Sequence, residues 1–570
     1  MTNKNEWQSK RILGFACLFF AILLGINFIP MHGAKAANNY GLHIMLGQNA
    51  EQLYGDLESF YVHHGRFLAG TWLGYIHYNT SKTQEMVKLF EKHYKAIYSA
   101  MGFFDDHLFG TSHACASILK HKKFVLRDKM KDCYKNVPVF VIGSGPSLDN
   151  DIDFIRKNQD KAIIIACGTA LDVLYHAGIK PDFYANTERT PQIRQTLNTI
   201  PDKDFFRDII LMTGDVCHPR TVEMFEHTAI FGKPDEPFYP YFAMGFPQDA
   251  GKIQYVQLMN PLVGNMGVSG AVYMGFNKLY LFGIDNGKKL KSGNLHSSFS
   301  TLYNQYQVKT DGFAYKTTKI IPGNFGGECQ SGHFYELSAR NIGFVLTQEG
   351  IRNKDLVCYN CSDGAKIDRA IPKHSEELKA DFEKLPELNK KEFFRYMTEE
   401  KTFELKITRE DIKRALSPDV FKITCEKIKQ ILLMKSESRP EFVKKLETCS
   451  EIIYTMKANP HTYYYADVLE GSLQTFFAIT TRVLYTSREL EVCLNLANQA
   501  VDIIIDFLTE APTLFAYLPD YVLEDHRKYY KDGLVGVDMP HCKATRLPDI
   551  DYIINSSFDD PLKKFVKRYE

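Results

Sequence analysis

The chain has 570 residues, 45% of them hydrophobic and 24% charged, and a formal net charge of +1. That length allows two to four domains, and the composition excludes a disordered or collagen-like chain. The near-zero charge excludes an overall electrostatic pull toward nucleic acid. Twelve cysteines lie singly, apart from Cys358-Tyr-Asn-Cys361. This excludes a disulfide framework and a paired zinc motif, and fits a reducing compartment. Cys358 and Cys361 read as the end of a strand, with a redox pair as the weaker alternative.

Lys4, Lys10 and Arg11 precede an apolar run, Ile12–Phe28, and Ala34-Lys35-Ala36 follows it. A signal peptide, a short membrane anchor or a buried segment would all read this way. Gly14, Gly25 and Asn27 interrupt the run, and the later chain has a cytoplasmic character. A buried or peripheral segment is favoured, with membrane association through Ile12–Phe28 as the alternative. From Tyr40 the pattern becomes α/β. His43–Leu46 and Thr71–Tyr78 read as strands, Ala50–His63 and Thr83–Met101 as amphipathic helices, and a helical link runs to about Lys135.

The central stretch alternates strands and helices. Val139–Ile142, Ala162–Ala166, Phe183–Ala185, Asp208–Met212, Lys278–Phe282 and Leu356–Tyr359 are short apolar runs suited to strands buried on both faces. Such alternation predicts a mostly parallel sheet, with ligands beyond the carboxyl ends of its strands. Past about Ser375 the strands stop. Asp419–Met434, Glu441–Met456, Tyr463–Leu484 and Leu490–Leu508 read as successive bundle helices. The expected division is an apolar segment over 1–36, an N-terminal α/β domain and link over 37–136, a catalytic domain over 137–373 and a helical domain over 374–570.

Candidate functional residues lie in the loops after the strands. Gly143-Ser144-Gly145-Pro146-Ser147 joins a strand to a helix start, where free N–H groups favour an anion. It is neither a dinucleotide fingerprint, which needs a third glycine, nor a P-loop, which needs Gly-Lys-Ser/Thr. Asn186-Thr187-Glu188-Arg189 follows the third strand, where it either binds ligand or caps a helix. Gly264–Gly270, with Asn265, Gly267, Ser269 and Gly270, is a second glycine-rich helix entrance suited to holding a nucleotide through backbone N–H groups, with close helix–sheet packing as the alternative. Asp285-Asn286-Gly287 follows a strand, then Lys288, Lys289, Lys291 and His296. Ile321–Gly327 is a further glycine loop, with His333 nearby. Asp149-Asn150-Asp151 matches a metal-binding D-x-D pattern, but acids are favoured in a first helical turn without any metal.

Together these stretches resemble the motility-associated factor (Maf) flagellin glycosyltransferases. The residues that carry the resemblance are Gly143–Asp149, Ala177–Asp182, Gly264–Gly270, Gly275–Asp285, His296, Ile321–Gly327 and Tyr359–Ile367. It spans about Tyr40 to Pro372. The central domain is also similar to bacterial sialyltransferases, with Ser144 where those enzymes carry asparagine. The resemblance implies a Rossmann-like, sialyltransferase-like central domain between a small N-terminal α/β domain and a helical C-terminal domain. It implies transfer of a nonulosonic acid from a CMP-activated sugar to flagellin hydroxyls, with no cofactor, no metal and no nucleic-acid partner.

In that scheme Gly143, Ser144, Gly145, Pro146 and Ser147 hold the donor, with Asn186, Thr187, Asn265, Gly267, Ser269 and Gly270. His296 is the general base beside Asp285, and Lys291 or its neighbours meet the sugar carboxylate. A 6-hydroxymethylpterin pyrophosphokinase using ATP and magnesium, with Asp149, Asp151 and Asp285 as candidate ligands, is the alternative. A flagellin-binding module with an inactive nucleotide site is a third possibility.

Overall fold

The computed structural model describes residues 49–70, 80–99, 102–190, 192–290, 295–304, 317–486 and 489–518. Two compact units divide the chain at Ala100. The expected strands His43–Leu46 and Thr71–Tyr78, the Ile12–Phe28 run and Lys291 lie outside the described residues. What is described of the first unit is helical. Asn49 caps the helix Ala50–His64 by accepting from the Gln52 N–H at 2.9 Å. Gly65 ends it at φ 132°, a conformation that favours glycine. A helix Ser81–Ser99 follows, and Tyr61, Ala69 and Phe90 pack into a small core.

The second unit is built on a ten-stranded sheet. In chain order its strands are β1 (Lys123–Val125), β2 (Pro138–Ile142), β3 (Ile163–Cys167), β4 (Phe183–Asn186), β5 (Ile210–Gly214) and β6 (His227–Phe231). After these come β7 (Lys278–Phe282), then β11 (Val357–Asn360), β12 (Ile371–Pro372) and β13 (Thr402–Glu404). The spatial order is β12-β11-β7-β2-β3-β4-β5-β6-β1-β13. All neighbours are parallel except β1 and β13. The sheet therefore draws β1 from before residue 137 and β13 from after residue 373. From β2 the chain order runs to β6 on one side and through β7 to β12 on the other. The order thus reverses at the β2/β7 boundary, where open α/β sheets bind ligands.

Strand alternation divides the core into two layers. Val139, Val141, Ile163, Ile165, Leu279 and Leu281 face the helices Val263–Met274 and His333–Arg352. Phe140, Ile142, Ile164, Ala166 and Phe282 face Ile152–Asn158 and Ala170–His176. Phe140 is fully buried, and the rings of Phe154, Tyr280, Phe282 and Phe382 surround it at 5.1 to 6.1 Å. Each such side chain contributes about 1.5–3 kcal/mol by leaving water. The continuous apolar runs follow from burial on both faces.

A small antiparallel sheet, β8 (Lys288–Lys289), β9 (Lys319–Pro322) and β10 (Glu328–Ser331), sits beyond β7. The glycine loop within Ile321–Gly327 is the β9–β10 hairpin turn, with Gly326 and Gly327 at φ 89° and 68°. Asn324 fastens it to the end of β11, donating to the carbonyls of Asn360 and Ser362 at 2.9 Å each.

The C-terminal helices are Pro418–Leu432, Arg439–Lys457, Tyr463–Leu484 and Leu490–Ala516. Leu490–Ala516 is, among the described residues, the one helix long and apolar enough to cross a membrane. Its Ala497, Ile504, Leu508 and Phe515 are buried in the bundle, and Phe421 stacks on Phe515 at 4.2 Å. Cys358 and Cys361 are free and buried, and burial raises both thiols. That disfavours thiolates and a redox role.

Candidate active site at the carboxyl ends of β2, β3 and β7

The loop after β2 is tied to the loop after β7. The Gly143 N–H donates to the Phe282 carbonyl at 2.8 Å, and the Gly145 N–H to the Gly283 carbonyl at 2.9 Å. The Ser147 N–H donates to Asp285 Oδ2 at 3.1 Å. Any Cβ on Gly145 would collide with the Asp285 carboxylate. Three of the N–H groups expected to hold an anion are therefore bonded within the protein. Pro146 has none, which leaves Ser144 as the donor of this loop. The expected helix start is also different: Pro146–Asn150 is a 3-10 turn, and the α-helix begins at Ile152.

Asp285 is 4% exposed, and burial pushes its carboxyl up to about 6. Its Oδ2 bonds the glycine loop from inside and so positions that loop, while its buried Oδ1 has no partner.

The second glycine-rich stretch is a packing device. Val263–Met274 lies against the sheet, and a Cβ on Gly267 would stand 2.6 Å from Cys167 Sγ and 2.7 Å from Val141 Cγ1. One on Gly270 would stand 2.8 Å from Met212 Sδ. Asn265 caps its own helix, accepting from the Leu262 N–H at 3.2 Å and donating to the Ser338 carbonyl at 3.1 Å. Ser269 is wholly buried. Asn265, Gly267, Ser269 and Gly270 thus face the core, correcting the ligand role expected for them. Asn186 is likewise fully buried and shapes its own turn, accepting from the Glu188 N–H at 2.7 Å. Thr187 is half-buried beside it.

His296 is brought to the strand ends by the segment that follows it. The Ser297 N–H donates to the Ser144 carbonyl at 2.8 Å. Asp149 accepts from the Ser297 hydroxyl and, at 2.9 Å, from the Ser298 N–H. Asp172, on the helix after β3, accepts from the Thr301 N–H at 2.8 Å and the Thr301 hydroxyl at 2.6 Å. Asp149 is therefore a tether, a function that helix-end electrostatics did not reveal, and Asp172 carried no sequence signal.

The His296 ring stacks on Tyr303 at 3.5 Å, and its buried Nε2 has no partner. Burial lowers its pKa to about 4. Close by, Ser144 and Thr169 pair their hydroxyls at 2.6 Å across the β2 and β3 loops. Lys289 pairs with Asp363, and His333 is exposed in the first turn of the His333–Arg352 helix. This arrangement combines a neutral imidazole, two hydroxyls and one N–H at a sheet's ligand edge, which suits proton removal from a hydroxyl beside a bound anion.

The fold is shared with a solved Maf glycosyltransferase from Magnetospirillum magneticum AMB-1. The TM-score is 0.68 at 20% identity, covering 87% of this chain and 74% of that one. The glycosyltransferase Maf N-terminal domain family matches residues 17–99. Residues 17–99 thus match a Maf domain family, and the fold of the chain is that of the Maf glycosyltransferase structure. The Maf match begins inside the Ile12–Phe28 run, upstream of the Tyr40 boundary expected from the sequence. A second family, described as 6-hydroxymethylpterin diphosphokinase MptE-like, matches residues 112–289, which hold seven of the sheet's ten strands and the stretches Gly143–Ser147 and Gly264–Gly270. An uncharacterized protein of Treponema pallidum (strain Nichols) is 31% identical over 64 residues, or 11% of this chain. The matched stretch spans 30% of that relative's length.

Proposed function

We propose that this chain is a Maf glycosyltransferase that moves a nonulosonic acid, a pseudaminic, legionaminic or other sialic-like sugar, from a CMP-activated donor to serine or threonine hydroxyls of flagellin. His296 is the general base and no metal takes part. The observation that carries this reading is the buried, unpartnered Nε2 of His296 on a segment bonded to the loops after β2 and β3.

An acceptor hydroxyl gives its proton to Nε2 as its oxygen bonds to the anomeric carbon. The bond from that carbon to the phosphate oxygen breaks, and CMP leaves with the electron pair. The Ser144 N–H and the hydroxyls of Ser144 and Thr169 are the phosphate donors. An imidazole with a pKa of about 4 is a weak base. A bound phosphate or carboxylate nearby raises it toward the working pH, because an opposite charge favours the protonated form.

Calorimetry with CMP in EDTA, paired with the intact mass of flagellin after incubation with the activated sugar, tests this. CMP binding and a mass gain of one sugar residue support it; neither would refute it. The match over residues 112–289 favours a second reading, a pterin pyrophosphokinase using ATP and magnesium. Among the described residues, no three His, Cys, Asp or Glu side chains group so as to share a metal ion. Asp149 and Asp285 are already bonded to Ser297, Ser298 and Ser147. Binding of ATP with magnesium in place of CMP would decide for that reading.

A further inference from the structure

A second set of ionisable side chains converges at the carboxyl ends of β4, β5 and β6, outside the His296 site. Arg189 follows β4, Asp215 follows β5, and Lys233 and Glu236 follow β6, while His107 comes from the helix Phe104–Leu119. Lys233 Nζ lies 2.6 Å from Glu236 Oε1, and the Arg189 guanidinium bonds the same oxygen. Asp215 Oδ2 accepts from the Lys233 N–H at 3.3 Å.

The other side of the cluster is unsatisfied. Glu236 Oε2, His107 Nδ1 and Asp215 Oδ1 have no hydrogen-bond partner, although their residues are 6%, 6% and 1% exposed. Glu236 Oε2 and His107 Nδ1 stand 3.9 Å apart, too far for a direct bond. Gly110, on the same helix, presents no side chain here: a Cβ on it would lie 3.5 Å from Glu236 Oε2 and 3.8 Å from Arg189 Cζ. A network that only tied this helix to the sheet would not leave three buried polar atoms unpaired, since each costs about 1–3 kcal/mol.

The chemistry of the group that fits is restricted. The carboxylate oxygens need donors, and the ammonium and guanidinium offer them. An apolar ligand would leave all of these unpaired, and a bare anion would meet two carboxylates. Hydroxyl groups on adjacent carbons both donate and accept. The cluster spans the ends of β4 to β6, one to three strand spacings from β3, or about 5 to 14 Å, within reach of a sugar joined through one phosphate to a nucleoside.

The geometry points to a sugar-ring subsite in which Asp215, Lys233 and Glu236 hydrogen-bond the hydroxyls of the donor's sugar. This rests on the transferase reading. The test uses the full chain with two probes, free N-acetylneuraminic acid followed by saturation-transfer NMR and CMP followed by calorimetry. Wild type should bind the free sugar. Glu236→Gln and Asp215→Asn should weaken it about tenfold or more while CMP affinity holds within about twofold. Gly110→Ala tests the same edge without removing a polar atom, because alanine favours the helix while its methyl would fill the space 3.5 Å from Glu236 Oε2 and 3.3 Å from Val216 Cγ1. It too should weaken the sugar and spare CMP.

No sugar binding by wild type would overturn the subsite. So would unchanged binding in all three variants, which would mean that the cluster holds ordered water only. Loss of CMP binding by wild type, with sugar binding intact, would instead sink the nucleotide reading and leave the subsite standing.

Discussion

Replacing Gly145 by alanine tests the inward-facing glycine loop most directly. The backbone at this residue has φ −66° and ψ 160°, which alanine adopts freely, so a smaller unfolded-state entropy favours the variant by about 0.4–1 kcal/mol. The opposing terms are larger. The new methyl would strike the Asp285 carboxylate, with Asp285 Cγ and the Gly283 carbonyl oxygen both 2.7 Å away. Expelling that carboxylate strands the buried Ser147 N–H it accepts from, at about 1–3 kcal/mol, and overpacking adds about 1–3 kcal/mol. Gly145→Ala should therefore lose about 2–4 kcal/mol net.

The assay is urea unfolding of Gly145→Ala, Asp285→Ala and the double variant. With the carboxylate gone, the worst of the three nearest contacts is removed and the Gly283 carbonyl oxygen at 2.7 Å remains. The two changes should then couple by about 1–3 kcal/mol. A Gly145→Ala protein within about 0.5 kcal/mol of wild type, or additive effects in the double variant, would refute the packing argument.

Gly267→Ala gains about 1 kcal/mol of helix propensity, but the methyl lands on Cys167 and Val141. Thermal melting should place it below wild type, and an equal or higher Tm would contradict the close helix–sheet contact. Asp172→Asn keeps one acceptor oxygen where the carboxylate bonds both the N–H and the hydroxyl of Thr301. Turnover should fall about tenfold or more with CMP affinity unchanged, and a loss confined to CMP affinity would argue against a role in holding His296. Burial lowers His296 to about 4. The acid limb of kcat/KM for the free enzyme should therefore lie near pH 4, with the base form present above it, whereas a limb at about 6.5 would mean a solvated imidazole. His296→Ala should lower turnover about 10²–10⁴-fold, and near-normal turnover would remove it as the base.

The sheet was legible wherever its strands are continuous apolar runs, as at Lys278–Phe282, whose bounds match those read from the sequence. It was not legible at His227–Phe231, which opens on two polar residues, or at Lys123–Val125 and Thr402–Glu404, which are too short for a periodicity. Glycine carries an ambiguity of its own. Gly267 and Gly145 lack a side chain for the same reason a ligand loop would, but the atoms that approach them belong to Cys167 and Asp285. Whether an N–H is free depends on partners more than 100 residues away, as with Ser147 and Asp285. Of the second cluster only Arg189 was singled out in the sequence, because Asp215, Lys233 and Glu236 follow strands whose convergence on Arg189 only the fold shows.

The antiparallel pairing of Lys123–Val125 with Thr402–Glu404 has a consequence for synthesis. During translation the outermost parallel strand waits, first for His227–Phe231 on one side and then for a segment that leaves the ribosome only after the entire central region. Until then its open edge is a template for any other extended chain. Lys401, whose side chain is fully buried and donates to the Leu126 and Asp128 carbonyls at 3.2 and 2.7 Å, closes that edge from the late-arriving side. A fragment cut at residue 373 would keep every loop around His296 and still expose this edge. Truncations meant to isolate the catalytic region should run at least through Glu404, and shorter ones should be recovered as aggregates.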